Sequence, residues 1–187
     1  MSIKGPWVDG YVLDYHTVSS KPTGDPYYRF DTKRTELGEL LYRLKYGSDK
    51  GALGAIVDTV EDFIRNRWRP SPAFDCIVPA PPSAAARKVQ PVMEIVRELA
   101  GRLAVVTCED AVIKVKPTQQ MKNIDDWHER KRTLQESIQK GSGEVDGKRI
   151  LLFDDLTESG STLWRGADVL NAGGAAAVYA LVLTRTK

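Results

Sequence analysis

Two patterns of hydrophobic positions alternate along the chain. Apolar residues spaced three and four apart, the period of an amphipathic helix, recur at residues 36–46, 51–68, 92–103 and 162–170. Short apolar runs typical of strands lie at residues 8–15, 74–78, 103–108, 111–115, 149–153 and 175–183, and a turn is expected at residues 21–26. Strands that alternate with helices predict an α/β fold, with a doubly wound parallel sheet covered on both faces.

The composition is that of an ordinary globular protein, with 42% hydrophobic and 28% charged residues. A chain of 187 residues has the length of one domain. Its formal net charge is +2 with both signs well mixed, which gives no strong signal for nucleic-acid binding. No apolar run is long enough to cross a bilayer and the first residues lack a signal-peptide core, so we expect a cytoplasmic protein without membrane contact.

Cysteine and histidine offer no metal site. Cys76 and Cys108 stand in apolar, strand-like runs without the close spacing of zinc ligands, so we expect buried, reduced thiols. His16 and His128 have no partner at ligand spacing and are assigned no role. Trp164 is expected to pack in the core with its helix.

The stretch with the clearest chemical content is residues 149–163, which read RILLFDDLTESGSTL. An apolar strand delivers Asp154 and Asp155 to its carboxyl end, where open parallel sheets bind ligands. A hydroxyl-rich loop around Gly160 then leads into a helix, whose N-terminal amides and dipole favour phosphate. The acids would repel phosphate and instead suit a neighbouring diol or a hard cation. An acid pair followed by an ordinary helix cap is the plainer alternative.

This segment resembles the motif with which type I phosphoribosyltransferases bind 5-phosphoribosyl-1-pyrophosphate (PRPP). The resemblance implies that two carboxylates hold the ribose hydroxyls and that the loop cradles the 5′-phosphate. The PRPP-binding residues that it implies are Asp154, Asp155, Thr157, Glu158, Ser159, Gly160, Ser161 and Thr162. It also implies Mg²⁺ as the cofactor, carried by PRPP, with Asp154 and Asp155 as the nearest protein groups and no certain direct protein ligand.

Further pieces, in order, resemble the ComF-like branch of this superfamily from about residue 36 to 183. These pieces are residues 44–46, 77–83, 87, 90–91, 116–119 and 129–132. ComF-like proteins often begin with a cysteine-rich zinc module, and no cysteine precedes Cys76 here. We expect residues 1–35 to form an extension packed on a phosphoribosyltransferase-like domain, residues 36–187.

The resemblance implies two more functional regions. The first is a pyrophosphate loop with its cations: Pro79, Ala80, Pro81, Pro82, Ser83, Arg87 and Lys45. The second is a mobile hood at about residues 114–140 that closes over the reacting centre and excludes water, with the cations Lys114, Lys116, Arg130, Lys131 and Arg132. The plainer alternatives for these regions are a rigid proline turn, a cation at a helix end and a solvated charged helix.

Glu158 departs from the motif, which usually has Thr, Ser or Ala at this position and Asp in purine-salvage members. A carboxylate should not point at the phosphate, so Glu158 either serves the acceptor as a general acid or base or only caps the following helix. The candidate catalytic residues are therefore Glu158 and Asp155.

The resemblance implies a pentosyltransferase of nucleotide metabolism, which transfers the phosphoribosyl group to an unidentified small acceptor and releases pyrophosphate. The same fold also suits a non-catalytic PRPP- or nucleotide-binding protein with a regulatory or DNA-uptake (competence) role. A P-loop NTPase is disfavoured because GxxxxGK[ST] does not occur. PRPP and the acceptor are the expected partners, and a homodimer is compatible with this interpretation.

Overall fold

The structure, a computed structural model, describes residues 1–25, 29–47, 49–69, 71–82, 90–115, 133 and 136–187. The strands within these ranges are Asp9–Tyr15 (β1), Thr17–Pro22 (β2), Phe30–Arg34 (β3), Cys76–Pro79 (β4), Val106–Thr107 (β5), Val112–Lys114 (β6), Ile138–Lys140 (β7), Arg149–Thr157 (β8) and Ala177–Arg185 (β9). The central sheet has five strands in the order β1-β9-β8-β4-β5, and every neighbouring pair is parallel.

The helices in the described ranges are Glu36–Gly47 (α1), Lys50–Asp62 (α2), Pro91–Leu103 (α3) and Ser161–Ala172 (α4). The first residue of each helix lies within two residues of the predicted first residue. Asp49 caps α2 by accepting a hydrogen bond from the Ala52 N–H at 3.1 Å. Pro91 occupies the first turn of α3, where its missing N–H removes no helical hydrogen bond.

The sheet separates two hydrophobic cores, as side-chain alternation in β8 illustrates. Leu151 and Phe153 pack in the core formed with α1, α2 and α3, whereas Ile150 and Leu152 pack in the core formed with α4. All four side chains are fully buried. A strand buried on both faces has no polar side, which explains its continuous apolar run. The predicted doubly wound α/β fold is confirmed.

The predicted helix at residues 51–68 is present, but its last turn is π-helical. The α-helix ends at Asp62 and continues as a π-helical turn, Phe63–Arg67, and Trp68 has extended backbone angles. Trp68 is only 1% exposed and its Nε1 donates a hydrogen bond to Asp9 Oδ2 at 2.9 Å. The π-helical turn thus leads directly into a large indole that is buried in the core.

The N-terminal segment contributes directly to the sheet. β1 pairs with β9 from Asp9 to Tyr15 and forms an edge strand of the central sheet. The antiparallel pair of β2 and β3 was not predicted from the sequence. Its side chains are mostly exposed, so no buried face marks these strands with a hydrophobic alternation.

Three smaller expectations have different outcomes. Cys76 is buried and Cys108 half-buried, and both are free thiols.

The expectation for Trp164 is wrong, because its side chain is 46% exposed while Leu163 and Ala167 of the same helix are buried. Trp164 follows Leu163 by one position, about 100° around the helix, which turns it away from the core. No helix in the described part of the chain is long and apolar enough to cross a membrane.

Candidate functional site

The acid pair lies within β8, near the carboxyl end of the strand, rather than in the loop that follows it. Asp154 and Leu156 pair with Val182 and Thr184 of β9, so the strand continues past the carboxylates. The Asp155 N–H donates to Asp154 Oδ1 at 2.9 Å. These hydrogen bonds hold the acid pair at the carboxyl edge of the sheet.

Asp154 is held in an environment that disfavours its charge. Burial, followed by the adjacent Asp155 carboxylate, raises the pKa of Asp154 to about 7. Hydrogen bonds from the backbone N–H groups of Asp155 and Leu156 and the positive charge of Lys45 act in the opposite direction. The site therefore has one carboxyl that takes up a proton near neutral pH, a property that ligand-binding and catalytic groups often share.

Lys45 forms an ion pair with the second acid. Its Nζ lies 3.0 Å from Asp155 Oδ2, and the two side chains are only 11% and 14% exposed. Lys45 belongs to the last turn of α1, whose buried residues Leu41 and Leu44 anchor the helix in the core. Lys45 was expected beside the pyrophosphate loop, and in the structure it contacts the acid pair.

The hydroxyl loop after β8 is closed by short hydrogen bonds. The Gly160 N–H donates to Thr157 Oγ1 at 3.0 Å, and the hydroxyls of Ser159 and Ser161 lie 2.7 Å apart. Gly160 has φ of +74°, a left-handed conformation that residues with a Cβ adopt at a cost. This turn allows α4 to begin at Ser161, with its N-terminal amide groups at the carboxyl edge of the sheet.

A cavity of about 90 Å³ joins several of the predicted residues. Its lining residues are Lys45, Ala80, Pro81, Pro82, Gln90, Pro91, Val92, Asp154, Asp155, Leu156 and Thr162. The acid pair, the proline segment after β4 and the start of α4 therefore share one space. It is smaller than the roughly 300–1,000 Å³ of typical ligand pockets, so it can enclose only part of a ligand of PRPP's size.

Other predicted residues lie outside this lining. Pro79 ends β4, while the loop residues Thr157, Glu158, Ser159, Gly160 and Ser161 stand beside the cavity rather than in its wall. The Glu158 side chain is exposed. Ser83 and Arg87 lie outside the described residues.

The structure describes only the two ends of the predicted hood and one residue between them, which are residues 114–115, 133 and 136–140. Lys114 is half-buried in β6, which pairs antiparallel with β7, and burial lowers the pKa of its ammonium group. β7 belongs to a stretch that is mostly polar in sequence, yet its Ile138 is fully buried. Lys116, Arg130, Lys131 and Arg132 lie outside the described residues.

His16 was assigned no role from the sequence, but it lies close to the acid pair. The Thr184 hydroxyl donates to the carbonyl oxygen of Asp155 at 3.3 Å and lies 3.3 Å from His16 Nδ1. Burial and the positive charges of Lys45 and Arg34 lower the pKa of His16. A histidine at the end of β1 gives no local signal, because its proximity depends on the order of strands in the sheet.

Arg185 was also missed. It ends β9, and its Cα is paired with that of Thr157 on one side and Tyr15 on the other. Its Nε is buried and has no hydrogen-bond partner among the described residues. A buried donor without a partner is unfavourable, so this guanidinium is a candidate to bind an anionic or carbonyl group of a ligand.

Comparison with known proteins agrees with this architecture. Glutamine PRPP amidotransferase from B. subtilis, solved with ADP and GMP, superposes with a TM-score of 0.52 at 15% identity over 82% of this chain and 34% of that chain. Adenine phosphoribosyltransferase from Saccharomyces cerevisiae superposes with a TM-score of 0.50 at 11% identity over 88% of this chain and 83% of that chain. The chain has the type I phosphoribosyltransferase fold.

The chain resembles known proteins less in sequence than in fold. No family model matches the chain. A stretch of 52 residues is 38% identical to ribose-phosphate pyrophosphokinase from Helicobacter hepaticus. This match covers 28% of the chain and 17% of that relative's length.

The donor set in this phosphoribosyltransferase fold suits a shared metal ion rather than a resident one. Within the described ranges no three His, Cys, Asp or Glu side chains form a cluster that could hold a metal. Mg²⁺ commonly binds through one or two carboxylates, water and substrate phosphates. Asp154 and Asp155 are two carboxylates that could serve such a shared ion.

Proposed function

We propose that this protein binds PRPP with Mg²⁺ and transfers its phosphoribosyl group to a small acceptor, releasing pyrophosphate. The observation that carries the proposal is the shared cavity at the carboxyl edge of the sheet. It joins two carboxylates suited to a diol, the first turn of a helix suited to phosphate, and a proline segment next to both. The phosphoribosyltransferase fold supports it, although fold alone does not determine activity.

Each group has a role that follows from its position. Asp154 and Asp155 would accept hydrogen bonds from the ribose 2′- and 3′-hydroxyls. Thr162 and the N-terminal amides of α4 would hold the 5′-phosphate, while the proline segment, Pro81 and Pro82, would border the pyrophosphate. These contacts fix the orientation of C1, where the acceptor atom attacks as the bond from C1 to the pyrophosphate oxygen breaks.

The leaving pyrophosphate takes the electron pair of the broken bond. Bound Mg²⁺ would supply charge neutralisation for this leaving group. The chain's own contribution is to position the sugar and to exclude water from its electrophilic carbon. Glu158, exposed beside the cavity, is the candidate general acid or base for the acceptor.

Finer assignments form part of the same proposal. We place the protein in the ComF-like branch because of the ordered pieces described above. We also propose a role in nucleotide metabolism, a cytoplasmic location and assembly as a homodimer. The orphaned donor of Arg185 favours an acceptor or ligand with an anionic or carbonyl group near the end of β9.

Calorimetric titration of PRPP with and without Mg²⁺ tests the binding step. We expect binding that requires Mg²⁺ and that Asp155→Asn weakens at least about tenfold, a loss of about 1.4 kcal/mol. Asp110→Asn is the matched control, because it removes an exposed carboxylate outside the cavity. Equal binding with and without Mg²⁺, or no binding to the wild-type protein, would contradict the proposal.

Pyrophosphate release tests the transfer step. A panel of purines, pyrimidines and ammonia is supplied with PRPP and Mg²⁺, and we expect acceptor-dependent release that Asp155→Asn abolishes. Tight PRPP binding without release for every acceptor would instead support the non-catalytic regulatory or competence-associated alternative.

A further inference from the structure

The ion pair between Lys45 and Asp155 lies in the wall of the cavity. The ammonium is 3.0 Å from one carboxylate oxygen, and both side chains are nearly buried. Both residues also line the same cavity as Asp154. The position beside the acid pair that a cation would take in this cavity is thus already held by a positive group of the chain.

Lys45 is held in this position by its helix. α1 packs through Leu37, Leu41 and Leu44 in the core that also contains Leu151 and Phe153 of β8. The last turn of α1 is therefore fixed relative to the end of β8, and the ammonium cannot leave Asp155 by moving the helix without disturbing that core. Rotation of the flexible lysine side chain can release the carboxylate without moving the helix.

The surrounding charges reinforce this arrangement. Asp154 lies next to Asp155 and experiences the positive charge of Lys45, which favours its ionised form. Arg34 acts electrostatically on the nearby His16, and its guanidinium pairs with Glu39 at 3.4 Å. Among the described residues, Lys45 is the cation in ion-pair contact with the acid pair.

We propose that Lys45 is a built-in counter-cation that keeps divalent metal ions off the acid pair until a ligand arrives. A divalent ion approaching Asp155 would meet an ammonium group already at contact distance, at low exposure, where repulsion between cations is poorly screened. A ligand that brings hydroxyl groups and its own metal can instead take the place of the ammonium at Asp155. This inference rests on the proposed function for the identity of that ligand, but not for the exclusion of free metal ions.

Binding of Mn²⁺ alone, followed by electron paramagnetic resonance, tests the proposal without PRPP. We expect Lys45→Met to bind Mn²⁺ at least about tenfold more tightly than the wild-type protein, because the repelling charge is gone. Lys45→Arg should bind Mn²⁺ as weakly as the wild-type protein, since it keeps the positive charge. The double variant Lys45→Met/Asp155→Asn should lose the gain, which would assign the ion to the acid pair.

Lys45→Gln is measured in parallel, because its amide can still donate to Asp155 and preserve the local packing if the methionine variant folds poorly. It should also gain Mn²⁺ binding, and Mn²⁺ should raise its melting temperature more than that of the wild-type protein. Equal Mn²⁺ affinity in wild-type and charge-removed variants, or a gain in Lys45→Arg, would overturn the proposal. Because no PRPP is present, a failure to bind PRPP would count against the proposed function and leave this result standing.

Discussion

Replacement of Asp154 by asparagine should stabilise the free protein while weakening its proposed site. The carboxyl lies at the end of a buried strand, and burial together with Asp155 raises its pKa to about 7. The folded state therefore binds this proton more tightly than the unfolded chain, in which the pKa of Asp154 is near 3.8. The stability from this group is present below pH 3.8 and is lost as pH rises through about 7.

The size of the effect follows from these two values. A rise from 3.8 to about 7 corresponds to about 4 kcal/mol of stability lost by pH 8, at about 1.4 kcal/mol for each tenfold change in proton affinity. The asparagine amide is also polar and must be desolvated, which removes part of the gain. We therefore expect Asp154→Asn to raise the free energy of unfolding by about 1–2 kcal/mol at pH 8, or the melting temperature by about 2–8 °C.

Urea unfolding of both proteins at pH 8, 6 and 4 measures this difference. The gain should be largest at pH 8 and should shrink toward pH 4, where the wild-type carboxyl is already protonated in the folded state. Asp110→Asn, at an exposed position, should show no such trend. A variant that is less stable than the wild-type protein at pH 8, or whose gain grows as pH falls, would refute the reasoning.

Two further predictions concern the rim of the cavity. Glu158→Gln should leave PRPP affinity, measured by calorimetry, within about threefold of the wild-type value, a change under 1 kcal/mol. If Glu158 is the general acid or base for the acceptor, the same variant should lower turnover, measured by pyrophosphate release, about tenfold or more. Tighter PRPP binding with unchanged turnover would exclude that role. Arg185→Leu should leave the melting temperature unchanged or raised, because it removes a buried donor without a partner. The same variant should lower affinity for PRPP or the acceptor at least about fivefold, about 1 kcal/mol, and unchanged affinity for both would show that Arg185 contacts neither ligand.

The hydrophobic patterns were sufficient for the main elements because burial repeats with the geometry of each element. Leucines spaced along α1 mark its buried stripe, and the unbroken apolar run of β8 marks a strand covered on both faces. The pattern failed where packing, not periodicity, decided the outcome. The exposed pair of β2 and β3 leaves no hydrophobic alternation to read, and the apolar Trp164 lies on the exposed side of its helix.

The same distinction applies to the candidate site. The acid pair, Gly160 and the start of α4 are consecutive along the chain, so the sequence by itself determined their order and their chemistry: carboxylates, a hydroxyl-rich loop around a glycine and a helix N-terminus. Lys45 and Arg185 come from other elements, and only tertiary structure decided that one pairs with Asp155 and the other stands beside Thr157. Local spacing is set by backbone geometry, whereas contacts between distant segments depend on strand order and on how helices pack against the sheet.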